Sequence, residues 1–254
     1  MPTIAIMNQK GGVGKTTTTL NLGAAIHRGG GHAVMIDLDP QAHLTSVHPE
    51  PNKSSDNTIY GFYQNSIPLE QMAIDWVGVG KLVCSNRELI RVETSFGKGP
   101  SILNRLRIGI GEFEKISPQS ATLIDCSPHL GVLTLSAIFA ADLVIVPISS
   151  DFLSINGAKK IAQTLNSLET VLKKRVNRRY LLTKYDRRRL MSSQVLDIAK
   201  TYFGEDVLDV VIAENVELAK SINEHKDIFS YNIKCLGAHN YADLYEVLRS
   251  QQFI

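Results

Sequence analysis

At 254 residues the chain can bury a sizeable core within a length that one α/β domain can occupy, and 44% hydrophobic and 20% charged side chains with a net charge of +2 are ordinary for a soluble globular protein. No apolar run approaches the roughly 18 to 20 residues that span a bilayer, and residues 1–8 lack the basic start of a signal peptide, so a cytoplasmic protein is expected. Cys84, Cys126 and Cys235 are far apart and form no CxxC or Cys/His spacing, which argues against a zinc site or a disulfide framework.

The first element is the apolar run TIAIMN (3–8), which ends at glycines. TTTTLNLGAAIHRGG follows with helical spacing through Leu20, Leu22, Ala25 and Ile26, and stops at the glycines of 29–31. AVMIDLDP (33–40) reads as a second buried strand ending in carboxylates, which completes a right-handed βαβ unit. Residues 48–57 and 95–101 are turn-forming, with a helix expected near 58–65 and a strand near 80–84. Apolar strands are expected at 121–125, 143–147, 180–183 and 207–212. Helical patterns fall at 132–141, 156–172 and 192–203, and a closing amphipathic helix at 241–251. This alternation predicts a single α/β domain over 1–254, doubly wound, with a mostly parallel sheet and helices on both faces.

The chemistry concentrates in three segments. In KGGVGKTT (10–17), glycines crowd a strand-to-helix turn, where missing Cβ atoms let backbone N–H groups curl around phosphate oxygens. The candidate nucleotide-binding residues are Gly11, Gly12, Val13, Gly14, Lys15, Thr16 and Thr17, with Lys15 on the β and γ phosphates and the Thr16 hydroxyl on Mg²⁺. The usual GxxxxGK[ST] pattern asks for glycine at position 9, where this chain has Gln9 followed by Lys10, so the loop is a variant. MIDLDPQ (35–41) puts Asp37 and Asp39 at the carboxyl end of a buried strand, the sheet edge where ligands bind. TLIDCSP (122–128) ends a strand in Asp125, suited to the water shell of Mg²⁺. Each acid alone also fits a simple turn, and Lys10 alone fits a solvated loop lysine.

Together KGGVGKTT, DLDPQ and LIDCSP resemble the nucleotide-site motifs of the deviant Walker P-loop ATPases, most closely the ParA/Soj partition ATPases. VPISSDFLSINGAKKI (146–161) and LLTKYDRRR (181–189) are similar to later segments of that family. The resemblance implies ATP and Mg²⁺ as cofactors and slow basal hydrolysis. It implies that Lys10 crosses a dimer interface to the partner's phosphates, so that Lys10, Lys15 and Asp39 are the catalytic residues. Asp39 would orient or activate the attacking water, Asp37 would support the metal and the neighbouring loop, and Thr16 and Asp125 would bind the metal. It further implies a homodimer in the ATP state, non-specific DNA binding on the nucleoid, and a ParB-like or other cargo adaptor that stimulates hydrolysis.

The DNA contacts are expected at Lys184, Arg187, Arg188, Arg189 and Lys220. Residues 173–189 hold nine Lys or Arg against Asp186 alone, but the 173–179 and 184–189 groups flank a strand and need not form one patch. A solvated basic surface is the bland alternative. Where relatives often carry a second basic residue, this chain reads ENVEL, with Glu214 and Glu217. The cargo is open between a plasmid or chromosome and a protein assembly such as carboxysomes. MinD-like membrane ATPases share the same site, but LYEVLRSQQFI (244–254) has one arginine and no lysine and makes a poor membrane anchor.

Overall fold

The computed structural model describes residues 2–52, 54–95, 99–118, 120–173 and 175–254. Its strands are β1 (Thr3–Ile6), β2 (Ala33–Leu38), β3 (Ala73–Trp76), β4 (Gly80–Val83), β5 (Ala121–Cys126), β6 (Leu143–Ser149), β7 (Arg178–Tyr185) and β8 (Val207–Ala213). They form one sheet in the order β3-β4-β2-β5-β1-β6-β7-β8. Every pairing is parallel except the β3–β4 hairpin.

The central strands β1, β2, β5 and β6 are buried along their whole length, which is why they read as continuous apolar runs instead of alternating ones. Two cores cover the two faces. Val34, Ile36 and Leu38 of β2, with Ile124 and Cys126 of β5, pack on the side of the helices Ile59–Asn65, Pro100–Ile116, Val132–Ala140 and Phe152–Leu172. Ala33 and Met35, with Ala121 and Leu123, pack on the side of the helices Lys15–Arg28 and Leu236–Ser250. By strand alternation Asp37 and Asp125 therefore belong to this second face, and they are direct register partners. The chain leaves β1 towards β2 and leaves β5 towards β6, in opposite directions along the sheet, so the crevice between β1 and β5 is a topological switch point.

The expected strands and helices lie where the periodicity puts them, including the helix near 58–65 and the strand near 80–84. Two helices begin earlier than expected because of caps. Asp151 Oδ1 accepts from the Ser154 amide and starts its helix at Phe152, and Cys235 Sγ accepts from the Ala238 amide and starts the last helix at Leu236. The last helix spends its apolar face, Tyr241, Leu244 and Leu248, on the core.

Pro100–Ile116 is a 17-residue helix that the sequence reading does not anticipate. Its buried stripe of Ile102, Leu106, Ile110 and Phe113 is helical in spacing, but interior glycines at 109 and 111 mask it. Gly109 is dictated by packing, since a Cβ there would lie 2.5 Å from the Phe62 ring. Residues 96–98 of the expected 95–101 loop lie outside the described residues.

Gly80 joins the β3–β4 hairpin to the rest of the sheet. Its φ is +139°, and a Cβ would sit 2.1 Å from the Ala33 carbonyl oxygen on β2. Gly80→Ala is therefore expected to cost roughly 1 to 3 kcal/mol, read as a lower midpoint in urea unfolding against the wild type.

Candidate nucleotide-binding site

The loop that leaves β1 is built by local constraints and then fixed by distant ones. Asn8 donates to the Pro147 carbonyl at 2.7 Å and accepts from the Lys10 amide at 3.0 Å. Gly12 and Gly14 adopt φ of 75° and 89°, a region that favours glycine, and Gly14 offers no capping side chain to the helix Lys15–Arg28. A Cβ on Gly11 or Gly12 would meet nothing within 4 Å, so neither packing nor, at Gly11, a positive φ explains the missing side chain. Close approach of an anion to the backbone does explain it, and the uncapped helix start adds its dipole to that site. Val13 is buried, and its carbonyl accepts from Thr183 Oγ1 at 2.8 Å. Thr17 is half-buried in the first helical turn.

Lys15 is buried and its Nζ donates to the Lys10 carbonyl at 3.3 Å. Desolvation pushes its pKa down, against the pull of the Asp125 and Asp39 charges. Thr16 donates to Asp125 Oδ2 at 2.7 Å, while Asp125 Oδ1 is buried with no hydrogen-bond partner. Burial, and then the neighbouring Asp37 charge, raise the Asp125 pKa well above the ordinary carboxylate range. An orphaned carboxylate oxygen beside a threonine hydroxyl and an open glycine loop is a donor set that fits a hard divalent cation with an anionic ligand.

Asp37 is wholly buried, and that burial lifts its pKa to about 6 against the opposing hydrogen bonds. Its Oδ1 accepts from the Asp39 amide at 3.1 Å, and its Oδ2 accepts from the Thr45 amide and hydroxyl at 2.8 and 2.7 Å. Asp37 was expected beside the metal and the loop; both of its oxygens serve the loop, and Asp125 is the acid that keeps an oxygen open. Asp39 lies just past the end of β2, is 7% exposed, and accepts from the Gln41 amide at 2.9 Å.

Lys10 turns away from its own loop. Its Nζ reaches Asp151 Oδ1 at 2.5 Å, across 141 residues, and both side chains stay about one-third exposed at 31% and 33%. Partial burial works against the Asp151 carboxylate, but hydrogen bonds from Lys10, Ser149 and the Ser154 amide hold its pKa below the ordinary range. Gly157 permits this approach, since a Cβ there would lie 2.3 Å from Asn8 Oδ1.

The basic residues at the end of β7 and in the turn after it lie at the same sheet edge. Lys184, Arg187, Arg188 and Arg189 are exposed, but they are not equally free. Arg188 bonds Asp186 at 3.0 Å, Arg189 pairs with Asp186 at 3.4 Å and Glu214 at 3.2 Å, and Lys220 pairs with Glu217 at 3.2 Å. Among the described residues, Lys184 and Arg187 form no ion pair. The 173–179 group sits at the opposite end of β7, and its three arginines are paired. Arg175 and Arg179 bind Asp206 at 2.8 and 3.3 Å, and the buried Arg178 pairs with Glu169. Lys174 lies outside the described residues.

Sequence reasoning missed four residues that shape the site: Thr45, Ser85, Asp151 and Thr183. Asp151 carries a signal, an acid a few residues ahead of a helical pattern, whereas the others touch the site only through folding.

A family model described as an AAA domain matches residues 1–178. The chromosome partitioning protein ParA of Caulobacter vibrioides is 33% identical over 243 residues, covering 95% of this chain and 91% of that protein. The chromosome-partitioning ATPase Soj of Thermus thermophilus is 33% identical over 244 residues, covering 96% and 93%. Cobyrinic acid a,c-diamide synthase from Mycobacterium smegmatis, with bound ADP and magnesium, superposes with a TM-score of 0.84 at 25% identity, over 99% of this chain and 96% of that one. With the variant glycine loop, the two strand-end acids and the doubly wound sheet in place, the chain belongs to the ParA/Soj family of chromosome-partitioning ATPases.

Proposed function

We propose that this protein is an ATP-dependent dimeric switch: its ATP state is a homodimer that binds DNA without sequence preference, and a partner ends that state by stimulating hydrolysis. The observation that carries the reading is the placement of the two loop lysines. Lys15 is buried at its own loop, whereas Lys10 is held outward by Asp151 and stays partly exposed. A second cation directed away from its own site suits the phosphates of a second copy, where it neutralises charge that one loop leaves unmet.

The loop amides, Lys15 and Thr17 bind the triphosphate, and Thr16 with Asp125 would hold Mg²⁺. Held there, the ion would supply positive charge against the phosphates. Asp39, just past the end of β2, orients the attacking water. Hydrolysis is slow in one copy because positioning and charge neutralisation are incomplete without Lys10 of the other.

DNA is held by the exposed turn, with Lys184 and Arg187 carrying most of the attraction. Arg188, Arg189 and Lys220 contribute less because Asp186, Glu214 and Glu217 already neutralise them. The protein then resides on the nucleoid in the cytoplasm, and a ParB-like adaptor on a plasmid or chromosome is the partner that triggers release.

Size-exclusion chromatography with light scattering tests the switch. Wild type with Mg²⁺-ATP should run as a dimer, Lys10→Ala as a monomer, and Asp39→Ala as a dimer with turnover reduced by at least about 100-fold. A wild type that stays monomeric with Mg²⁺-ATP would falsify the model. In DNA binding measured at two salt concentrations, Arg187→Ala should weaken affinity for every sequence alike and lower the salt slope by about one. Finally, Asp125→Asn removes a buried carboxylate that crowds the one on Asp37. Its melting temperature without nucleotide should rise above that of wild type, and the further rise that wild type shows with Mg²⁺-ATP should disappear.

A further inference from the structure

The geometry points to Thr45 and Ser85 as positioning residues for Asp39, a role that rests on the ATPase reading above. Neither residue belongs to a recognisable motif. Thr45 lies in the short helix His43–Val47 and Ser85 follows the end of β4, so both come from the stretch whose pattern is hardest to read.

Four residues close a ring of hydrogen bonds. The Asp39 amide donates to Asp37 Oδ1 at 3.1 Å, and the Asp39 carbonyl accepts from Ser85 Oγ at 2.8 Å. The Ser85 amide donates to Thr45 Oγ1 at 2.8 Å, and Thr45 Oγ1 donates to Asp37 Oδ2 at 2.7 Å. All four residues are buried: Asp37 at 0% exposure, Ser85 at 2%, Thr45 at 6% and Asp39 at 7%. Water is therefore a poor substitute for any missing member.

The ring holds Asp39 at both ends of its own residue. β2 ends at Leu38, and the chain then turns through Ala42, whose φ is 54°. In such a turn the direction of the Asp39 side chain follows from where its amide and carbonyl are anchored. Asp37 fixes the amide and Ser85 fixes the carbonyl, while Thr45 keeps Asp37 and Ser85 in step. Both hydroxyls bond within the ring and neither bonds the glycine loop, so their loss should leave nucleotide binding intact and disturb only the aim of the carboxylate.

The test compares Thr45→Val, which keeps the shape and removes the hydroxyl, with Thr45→Ser, which restores it, and with Ser85→Ala. Steady-state ATPase activity is normalised to nucleotide-binding sites titrated in the same samples, so that loss of folded protein is not mistaken for loss of rate. Thr45→Val and Ser85→Ala should each lower kcat by roughly 10- to 100-fold with KM for ATP within about twofold of wild type. Thr45→Ser should recover most of the rate. The double variant should lose little more than either single one, because one ring is broken either way. In an Asp39→Ala background Thr45→Val should have no further effect.

Variants that keep full kcat per titrated site, or a Thr45→Ser protein no faster than Thr45→Val, would overturn the positioning role alone. A wild type that binds ATP but never hydrolyses it would overturn the ATPase reading and this role with it.

Discussion

Two carboxylates stand side by side at the centre of this molecule, away from water, and the rest of the site is arranged around them. Asp37 and Asp125 are register partners on adjacent parallel strands, and both belong to the face covered by the helix that follows the glycine loop. Taking ions out of water costs several kcal/mol each unless partners make up the loss. Asp37 is satisfied by three hydrogen bonds from the chain that follows it. Asp125 has Thr16 and the nearby charge of Lys15, and one of its oxygens is left bare. The fold thus holds an unmet demand for positive charge directly beside a loop whose backbone demands negative charge. A nucleotide carrying a divalent cation answers both demands at once.

The second arrangement is a division between two lysines five residues apart. Lys15 is drawn inward and its charge is disfavoured by burial. Lys10 is drawn outward to Asp151, an acid that also caps the helix Phe152–Leu172. One side chain thereby sets a helix start and holds a loop lysine away from its own site. The basic turn joins the same edge through β7: Thr183 bonds the Val13 carbonyl, and Lys184 follows it with φ of 52°. Nucleotide loop and basic turn share a strand end, which is a short physical route between occupancy of one and presentation of the other.

The acidic residues at 214 and 217 act on that turn in a way that net charge conceals. They pair with Arg189 and Lys220 and reduce the field of a segment that is strongly basic on paper. Arg175, Arg178 and Arg179 are likewise committed to Asp206 and Glu169 at the far end of the strand. Of the nine basic residues between 173 and 189, Lys184 and Arg187 keep an unpaired charge among the described residues at the nucleotide edge.

The elements that the sequence determined by itself are those whose causes are local. Glycines at 11, 12 and 14 between an apolar run and a helical pattern specify the anion loop, and apolar runs ending in Asp37 and Asp125 specify strands that deliver acids to one edge. Those patterns act within a few residues, so they are legible without folding the chain. The helix Pro100–Ile116 is hidden because Gly109 answers to the ring of Phe62, 47 residues earlier in the sequence, and β3 because it exists only as the partner of β4. Which acid is left open, where Lys10 points, which arginines stay free, and how Ser85 reaches Asp39 were decided by tertiary structure. Each depends on a hydrogen bond or ion pair between segments that only the stacking of parallel strands brings together.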